Sequence, residues 1–249
     1  MSGLRIALIA DIHGNALALQ AALADIEARK PDRLAILGDL VFNGPRPAEV
    51  LSAIMELDAA GALVISGNTD IAVADGDFTA AFPWLDEVPV GHRAAAEWAR
   101  EQLDAGQLEY LRRLPAERRI AVGGQLVLAC HASPGSQTAG LPVDLDAAVT
   151  MQYATRTDAR VICCGHTHVA DVRELGRRLL LNPGSCGYAF DGTPDACWAM
   201  LTVSEAAEPE AQLYRVAYDA QAAAEEVSQR GLPSDVYRAA TIRTGRLVR

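Results

Sequence analysis

No apolar run in this chain approaches the roughly 18 residues that a membrane-spanning helix needs, so no transmembrane segment is expected. The N-terminal run Leu4–Ala10 is too short for a signal-peptide core, and DIHGN follows it at once with no small-residue cleavage site, so the expectation is a cytoplasmic protein. Cysteine is sparse and odd in number. Cys130, Cys163 and Cys164 sit inside apolar runs rather than at metal-clip spacings, and with Cys186 and Cys197 they read as buried free thiols. Basic residues are outnumbered, 22 against 32 acidic, for a net charge of −10. Few phosphates could be neutralised, which disfavours nucleic acid as a partner. A small phosphate ester stays open, because a metal site can be locally positive on an acidic protein. Internal repeats and low-complexity linkers are lacking too, so 1–249 is read as a single domain.

What the chain does have is a set of apolar runs that end in side chains able to bind metal. LRIALIAD-x-H delivers Asp11 and His13, LAILGD delivers Asp39, ALVISGN delivers Asn68, LVLACH delivers His131, and RVICCGH-x-H delivers His166 and His168. Taken singly these are weak signals. D-x-H could be a turn with a helix cap, and GD and GN are common turn dipeptides. Their conjunction is informative, because four of the five histidines fall at strand ends beside Asp, Asn or another His. One site assembled from the ends of neighbouring strands accounts for the pattern.

Periodicity places a strand at Leu4–Ala10, a helix at Asn15–Arg29 with Asn15 as cap, a strand at Leu34–Leu37, a helix at Pro47–Ala60 and a strand at Ala62–Ser66. That alternation predicts a parallel βαβαβ start, with functional groups at the carboxyl ends of the strands. Residues 71–91 break the rhythm and read as a loop or small cap beside the site. Helices follow near His92–Leu103 and Gln107–Leu114. Strands are then expected at Arg119–Val122 and Gln125–Cys130 around a Gly123-Gly124 hairpin turn. Asp144–Ala154 looks helical, and further strands are read at Arg160–Cys164, Asp171–Leu175, Arg178–Leu181, Ala196–Val203 and Gln212–Tyr218. Residues 219–249 form a C-terminal helical tail. The fold class is α/β: two packed mixed β-sheets flanked by helices, an αββα sandwich.

DIHGN, GDLVFNG, GNTD, LACH and GHTH stand in the order and at about the spacing of the calcineurin-like metallophosphoesterase superfamily, which the chain resembles over residues 4 to about 190. The NPGS stretch at Asn182–Ser185 resembles the smaller bacterial members. The resemblance implies two divalent metal ions, one held by Asp11, His13, Asp39 and His168, the other by Asp39, Asn68, His131 and His166, with Asp39 as the bridge. A mixed oxygen and imidazole set favours Mn, with Fe, Zn, Co or Ni as alternatives, over an all-oxygen Mg or Ca site. Two ligand carboxylates against two dications and a bridging hydroxide leave the centre at about +1, so a phosphate ester is attracted. The implied chemistry is in-line attack by that hydroxide, with Asp39, Asn68 and His131 as the catalytic set.

The sequence departs from the family pattern at Thr69, where many members carry a His that serves the leaving group. A threonine cannot act as an acid near pH 7, and general acid catalysis is typically worth ~10²–10⁴ in rate. The expectation therefore shifts to phosphodiesters over alkyl monoesters. His92 is the spare histidine, a substitute acid or an ordinary helix-start residue. Asn43, Thr69, Asn182 and Ser185 are the candidate substrate contacts, with a turn-closing role as the alternative for Asn43 and a plain turn as the alternative for Asn182 and Ser185. Asp70 reads as a cap or orienting group, while Phe78, Phe82 and Trp84 could stack on a nucleobase or simply pack.

The reading is thus a hydrolase of small phosphate esters, with no membrane partner and with homo-oligomerisation open. The rivals are a dinucleoside polyphosphate hydrolase, a protein phosphatase of the same superfamily, and a non-catalytic interaction scaffold such as a related member in the eukaryotic retromer. A polyphosphate substrate would need basic groups near the site, for which Arg46, Arg93, Arg156 and Arg173 are the candidates.

Overall fold

The computed structural model describes residues 3–122 and 124–249. The chain opens with β1 (Leu4–Ile9), α1 (Ala16–Arg29), β2 (Arg33–Ile36), α2 (Pro47–Ala59) and β3 (Leu63–Val64). β1 pairs parallel with β2, and β2 with β3. Asn15 caps α1 as expected, its Oδ1 accepting from the Ala18 N–H at 3.2 Å, and Pro47 occupies the first turn of α2, where a missing N–H costs nothing.

Next come α3 (Asn68–Asp75), α4 (Phe78–Ala81), α5 (Val90–Glu101) and α6 (Ala105–Arg113), followed by β4 (Glu117–Val122) and β5 (Gln125–Cys130). The remainder is α7 (Ala147–Ala154), β6 (Val161–Cys163), β7 (Ala170–Leu175), β8 (Arg178–Pro183), β9 (Ala196–Val203), β10 (Glu210–Val216), α8 (Ala220–Arg230) and α9 (Asp235–Thr244). The strands form two five-stranded sheets, ordered β10-β9-β1-β2-β3 and β4-β5-β6-β8-β7.

The sheets face each other through one apolar layer, in which Ile6, Leu8, Ala35 and Leu37 of the first meet Val127, Ala129, Val161 and Leu181 of the second. The alternate residues of β1, Ala7 and Ile9, pack against α1 and α2 on the other face. A strand buried on both faces reads as an unbroken apolar run, which is why LRIALIA carries no alternation. α7 covers the outer face of the second sheet around Leu128, Ile162 and Leu180. The result is the expected αββα sandwich, and among the described residues no helix is long and apolar enough to cross a membrane.

Two expectations need correction. β3 is only two residues long, because the Ser66 N–H leaves the ladder and donates to the Pro115 carbonyl. The 71–91 segment is also not wholly irregular. Its first residues belong to α3, whose amino end is built by the Asp70 carboxylate accepting from the Gly67 N–H at 2.8 Å, and α4 follows inside it. Of the expected Gly123-Gly124 turn, residue 123 lies outside the described residues; on either side Val122 pairs with Gln125 in an antiparallel register.

Candidate metal centre

All the strand-end side chains named from the sequence meet at one edge of the sandwich. Asp11 and His13 follow β1, Asp39 follows β2, Asn68 opens α3 after β3, His131 follows β5, and His166 and His168 follow β6. The turns that present them approach each other closely. A Cβ at Gly38 would strike the Gly67 backbone, and one at Gly67 would strike the Asp39 side chain, so the GD and GN motifs need their glycines for space.

The backbone at the site is strained. Seven described non-glycine residues lie in the left-handed region, and five of them are Asp11, His13, Asp39, His166 and His168, with φ of 53°, 52°, 55°, 68° and 60°. Each such residue costs roughly 1–2 kcal/mol, a strain that persists where the surroundings over-determine it and that marks functional positions. The other two, Lys30 and Ser234, are helix caps.

Asp11, His13, Asp39 and His168 offer ligand atoms within 4.8 Å of one another, and so do Asp39, His131 and His166. Asp39 belongs to both groups. Its Oδ2 lies 3.5 Å from His13 Nε2 and its Oδ1 lies 3.4 Å from His131 Nε2. Asn68 Oδ1 joins the second group, 3.1 Å from both His131 Nε2 and His166 Nδ1.

Backbone carbonyls decide which way these groups face. A carbonyl only accepts, so His131 Nδ1, 2.7 Å from the Leu37 oxygen, carries a hydrogen, as does His168 Nδ1, 2.5 Å from the Tyr188 oxygen. In both rings Nε2 is thereby the nitrogen turned inward, able to offer its lone pair to a cation once it holds no proton. Asn68 Nδ2 donates to the Ala81 carbonyl at 2.9 Å, which turns its Oδ1 inward as well. Across the first group, His168 Nε2 is 3.4 Å from Asp11 Oδ1 and 3.2 Å from His13 Nε2, and the buried Asp11 Oδ1 has no hydrogen-bond partner. Acceptors converging on acceptors are repulsive unless a cation lies between them, so the donor set fits divalent metal. Asp70 braces the Asp39 turn from behind, accepting from the Asp39, Leu40 and Gly67 N–H groups at 2.8–3.0 Å. The Thr69 N–H donates to Asp39 Oδ1 at 3.0 Å.

Burial, with Asp39 adding to it against the pull of His131, pushes the Asp11 carboxyl well up, so this ligand resists ionisation in the absence of a cation. Burial, reinforced by neighbouring imidazoles, pushes His13 down to about 3 and His166 to about 4, and burial takes His168 to about 4, so all three are neutral ligands near pH 7. Burial works against the charged form of His131 too, but Asp39 and Asp11 outweigh it and bring this group up to about 9. Burial opposes ionisation of Asp39 as well, yet His131, His13 and His166 hold its carboxyl far below the usual range. Without a cation, then, a proton sits on His131 Nε2, and metal must displace it. Uptake of Mn at pH 7 should release at least about one proton per chain, and affinity should weaken about tenfold per unit as pH falls from 9 to 7. Calorimetry in two buffers of different ionisation enthalpy measures this; release of no proton would contradict it.

Other candidates fall elsewhere. Asn182 spends its amide on the Gly165 carbonyl, the Thr167 hydroxyl and the Gly184 N–H, and Ser185 Oγ donates to the Asp11 carbonyl and accepts from the Tyr188 N–H. Both are buried, at 2% and 0% exposure, and brace the ligand turns instead of offering donors to a phosphate, which corrects the substrate-contact reading. Asn43 lies in the loop after Asp39; its Oδ1 accepts from Arg238 Nε at 3.1 Å, which leaves Nδ2 as the free end. The Thr69 hydroxyl is buried without a partner. His92 stands behind Phe42 and Phe82, with ring centroids 6.1 and 5.5 Å away. Phe78 and Phe82 are core residues, whereas Trp84 is 54% exposed.

Of the basic candidates, Arg46 pairs with both oxygens of Glu226, Arg173 with Asp171, Arg93 lies over Phe78 and Arg156 over Tyr153. Sequence reasoning missed the buried group Arg230, Asp235 and Arg238, which grips the Asn43 loop from the C-terminal helices. An Asp–Arg pair at i,i+3 in a helix reads as a solvated face, so nothing in the sequence marked it.

Comparison with known proteins agrees with this arrangement. The calcineurin-like phosphoesterase superfamily domain matches residues 4–206. The chain is 27% identical over 246 residues to an uncharacterized protein of Methanocaldococcus jannaschii, covering 92% of this chain and 93% of that protein. Among solved structures it is similar to a metallophosphoesterase from Sphaerobacter thermophilus, at 29% identity and a TM-score of 0.73, covering 96% of this chain and 99% of that one. A hypothetical protein from Pyrococcus horikoshii shares the fold at 23% identity and a TM-score of 0.82, over 97% and 98% of the two chains. With its motifs converging on one cation-ready centre, the chain belongs to the calcineurin-like phosphoesterase superfamily and is a metal-dependent phosphoesterase.

Proposed function

We propose that the chain hydrolyses small phosphate esters, phosphodiesters in preference to monoesters, at two divalent cations bridged by Asp39. The observation that carries this reading is the Asp39 carboxylate, which turns one oxygen to each of two groups of inward-facing lone pairs. Asp11, His13, Asp39 and His168 would hold one ion and Asp39, Asn68, His131 and His166 the other, a mixed carboxylate and imidazole set compatible with Mn, Fe, Zn, Co or Ni, of which we choose Mn. Such ions supply Lewis acidity to the phosphoryl oxygens and acidify water for in-line attack.

The chain's own residues do the rest. Leu37, Ala81 and Tyr188 carbonyls keep the donor atoms facing inward, and Asp70 and the Thr69 N–H hold Asp39 in its left-handed turn. The free Nδ2 of Asn43 is a donor for a phosphoryl oxygen. Of the candidate acids, Thr69 is a hydroxyl that donates no proton near pH 7, and His92 is flanked by Phe42 and Phe82. Esters with good leaving groups are therefore favoured, and among these we place diesters ahead of monoesters. A dinucleoside polyphosphate is less well served, because Arg46 and Arg173 are already paired with carboxylates. The five buried free thiols fit a reducing cytoplasm.

The test is hydrolysis of p-nitrophenyl phosphate and bis-p-nitrophenyl phosphate by Mn-loaded protein. The diester is expected to be favoured in kcat/KM by at least about tenfold, with rates falling steeply as the leaving group becomes more basic. Efficient cleavage of alkyl monoesters would show that another group donates the proton and would remove the diester preference.

A further inference from the structure

The rings around the metal centre form a continuous wall. Phe42 lies 6.2 Å from the His13 ring, Phe82 lies 6.0 Å from Phe42, Trp84 stands edge-on 5.8 Å from Phe82, and Trp84 in turn lies 6.0 Å from His166. The wall thus runs from one ligand group to the other. Phe42 and Phe82 are buried, at 2% and 5% exposure, and they anchor it. Trp84 is 54% exposed, while Trp198 is fully buried. Pro83 precedes it and restricts the backbone that carries the ring.

A large indole left in water is a cost unless something covers it. Its position limits the choice of cover, because a ring against the His166 imidazole lies within reach of whatever is attached to a phosphoryl group at the centre. A macromolecular partner seated on Trp84 would close that centre. Further phosphates are poorer occupants, since the wall's rings include no Lys or Arg, Arg46 and Arg173 are paired with carboxylates, and Arg93 and Arg156 lie over Phe78 and Tyr153. A neutral planar group fits.

We propose that Trp84 is a specificity-determining residue that stacks on a planar aromatic substituent, nucleobase or aryl ring, of the phosphate ester. This rests on the phosphoester reading above and names the substrate class for it. Base–aromatic stacking of this kind is worth about tenfold or more in affinity.

The stacked ring is assigned to the substituent that stays on phosphorus, so the test uses the p-nitrophenyl diesters of thymidine, phenol and methanol, in which the leaving group, itself aromatic, is constant and cancels from the ratios. Wild-type protein should favour the two aromatic esters over the methyl ester by about tenfold in kcat/KM. Trp84→Ala should bring that ratio to about one, and Trp84→Phe should keep part of it. A thymidine preference over phenyl would identify nucleotides as the source of the ring, and equal rates would identify aryl esters in general. A wild type with no preference, or a Trp84→Ala variant that lowers all three rates by one factor, overturns the proposal. Should no ester be turned over, hydrolysis as the function fails, and binding decides the role of Trp84 separately. Thymidine monophosphate, but not methyl phosphate, should quench tryptophan fluorescence in the wild type and not in Trp84→Ala, and absence of that quench overturns it.

Discussion

Asp39→Asn is expected to lower phosphodiester turnover by at least about a thousandfold while leaving the fold intact. Two groups of candidate ligands share this one carboxylate, and Lewis-acid stabilisation by a bound cation is worth several kcal/mol, each 1.4 kcal/mol being about tenfold in rate. The substitution is a clean one. Asparagine tolerates the left-handed backbone almost as readily as aspartate, so φ of 55° at this position is preserved. An asparagine Oδ1 can still accept from the Thr69 N–H, and Asp70 still accepts from the backbone of residues 39 and 40. What is lost is the negative charge that Oδ1 and Oδ2 present to His131 and His13. Metal content should fall with activity, and the His131 group should drop from about 9 because Asp39 is the main influence holding it up. Retention of both metal and more than a tenth of the activity would sink the bridging role.

The centre was legible because each ligand ends an apolar run, and the parallel order of β1, β2 and β3 puts those ends together. What turns the ligands inward was not legible. The Leu37, Ala81 and Tyr188 carbonyls that fix the His131, Asn68 and His168 side chains are backbone groups, and backbone groups leave no signature in residue identity. The same holds for Asn182 and Ser185. Their polarity invited a substrate role, yet apart from the Thr167 hydroxyl their partners are main-chain atoms of turns up to 174 residues away. The start of α3 escaped notice because NTDIAVAD has no helical apolar period, and the helix depends on the Asp70 carboxylate capping Gly67. The C-terminal grip on Asn43 escaped because its contacts span 186 to 195 residues.

Arg238→Ala is expected to destabilise the protein by about 3 kcal/mol, near the low end for breaking a buried charge network. The guanidinium is 5% exposed and shares Asp235, 4% exposed, with Arg230. It also donates to the Asn43 Oδ1 and to the Pro233 and Gly91 carbonyls, so alanine leaves two acceptors on buried residues, Asn43 and Gly91, and one on the exposed Pro233 short of a donor. Arg230 still covers Asp235 at 2.7 Å, which keeps the cost from rising further. In a chain of this size the loss should lower Tm by roughly 6–12 °C. Arg238→Lys should recover little, because a single ammonium cannot replace the planar fork that reaches several oxygens at once. Urea unfolding of metal-free protein measures the stability, and a shift under about 1 kcal/mol would mean that water replaces the network at no cost. Activity measured well below the transition separates a second effect. With Arg238 gone, the Asn43 amide is free to turn, so kcat/KM should fall in Arg238→Ala even where the protein is fully folded. The last two helices would then act on the reaction through one loop, the segment that joins Asp39 to α2.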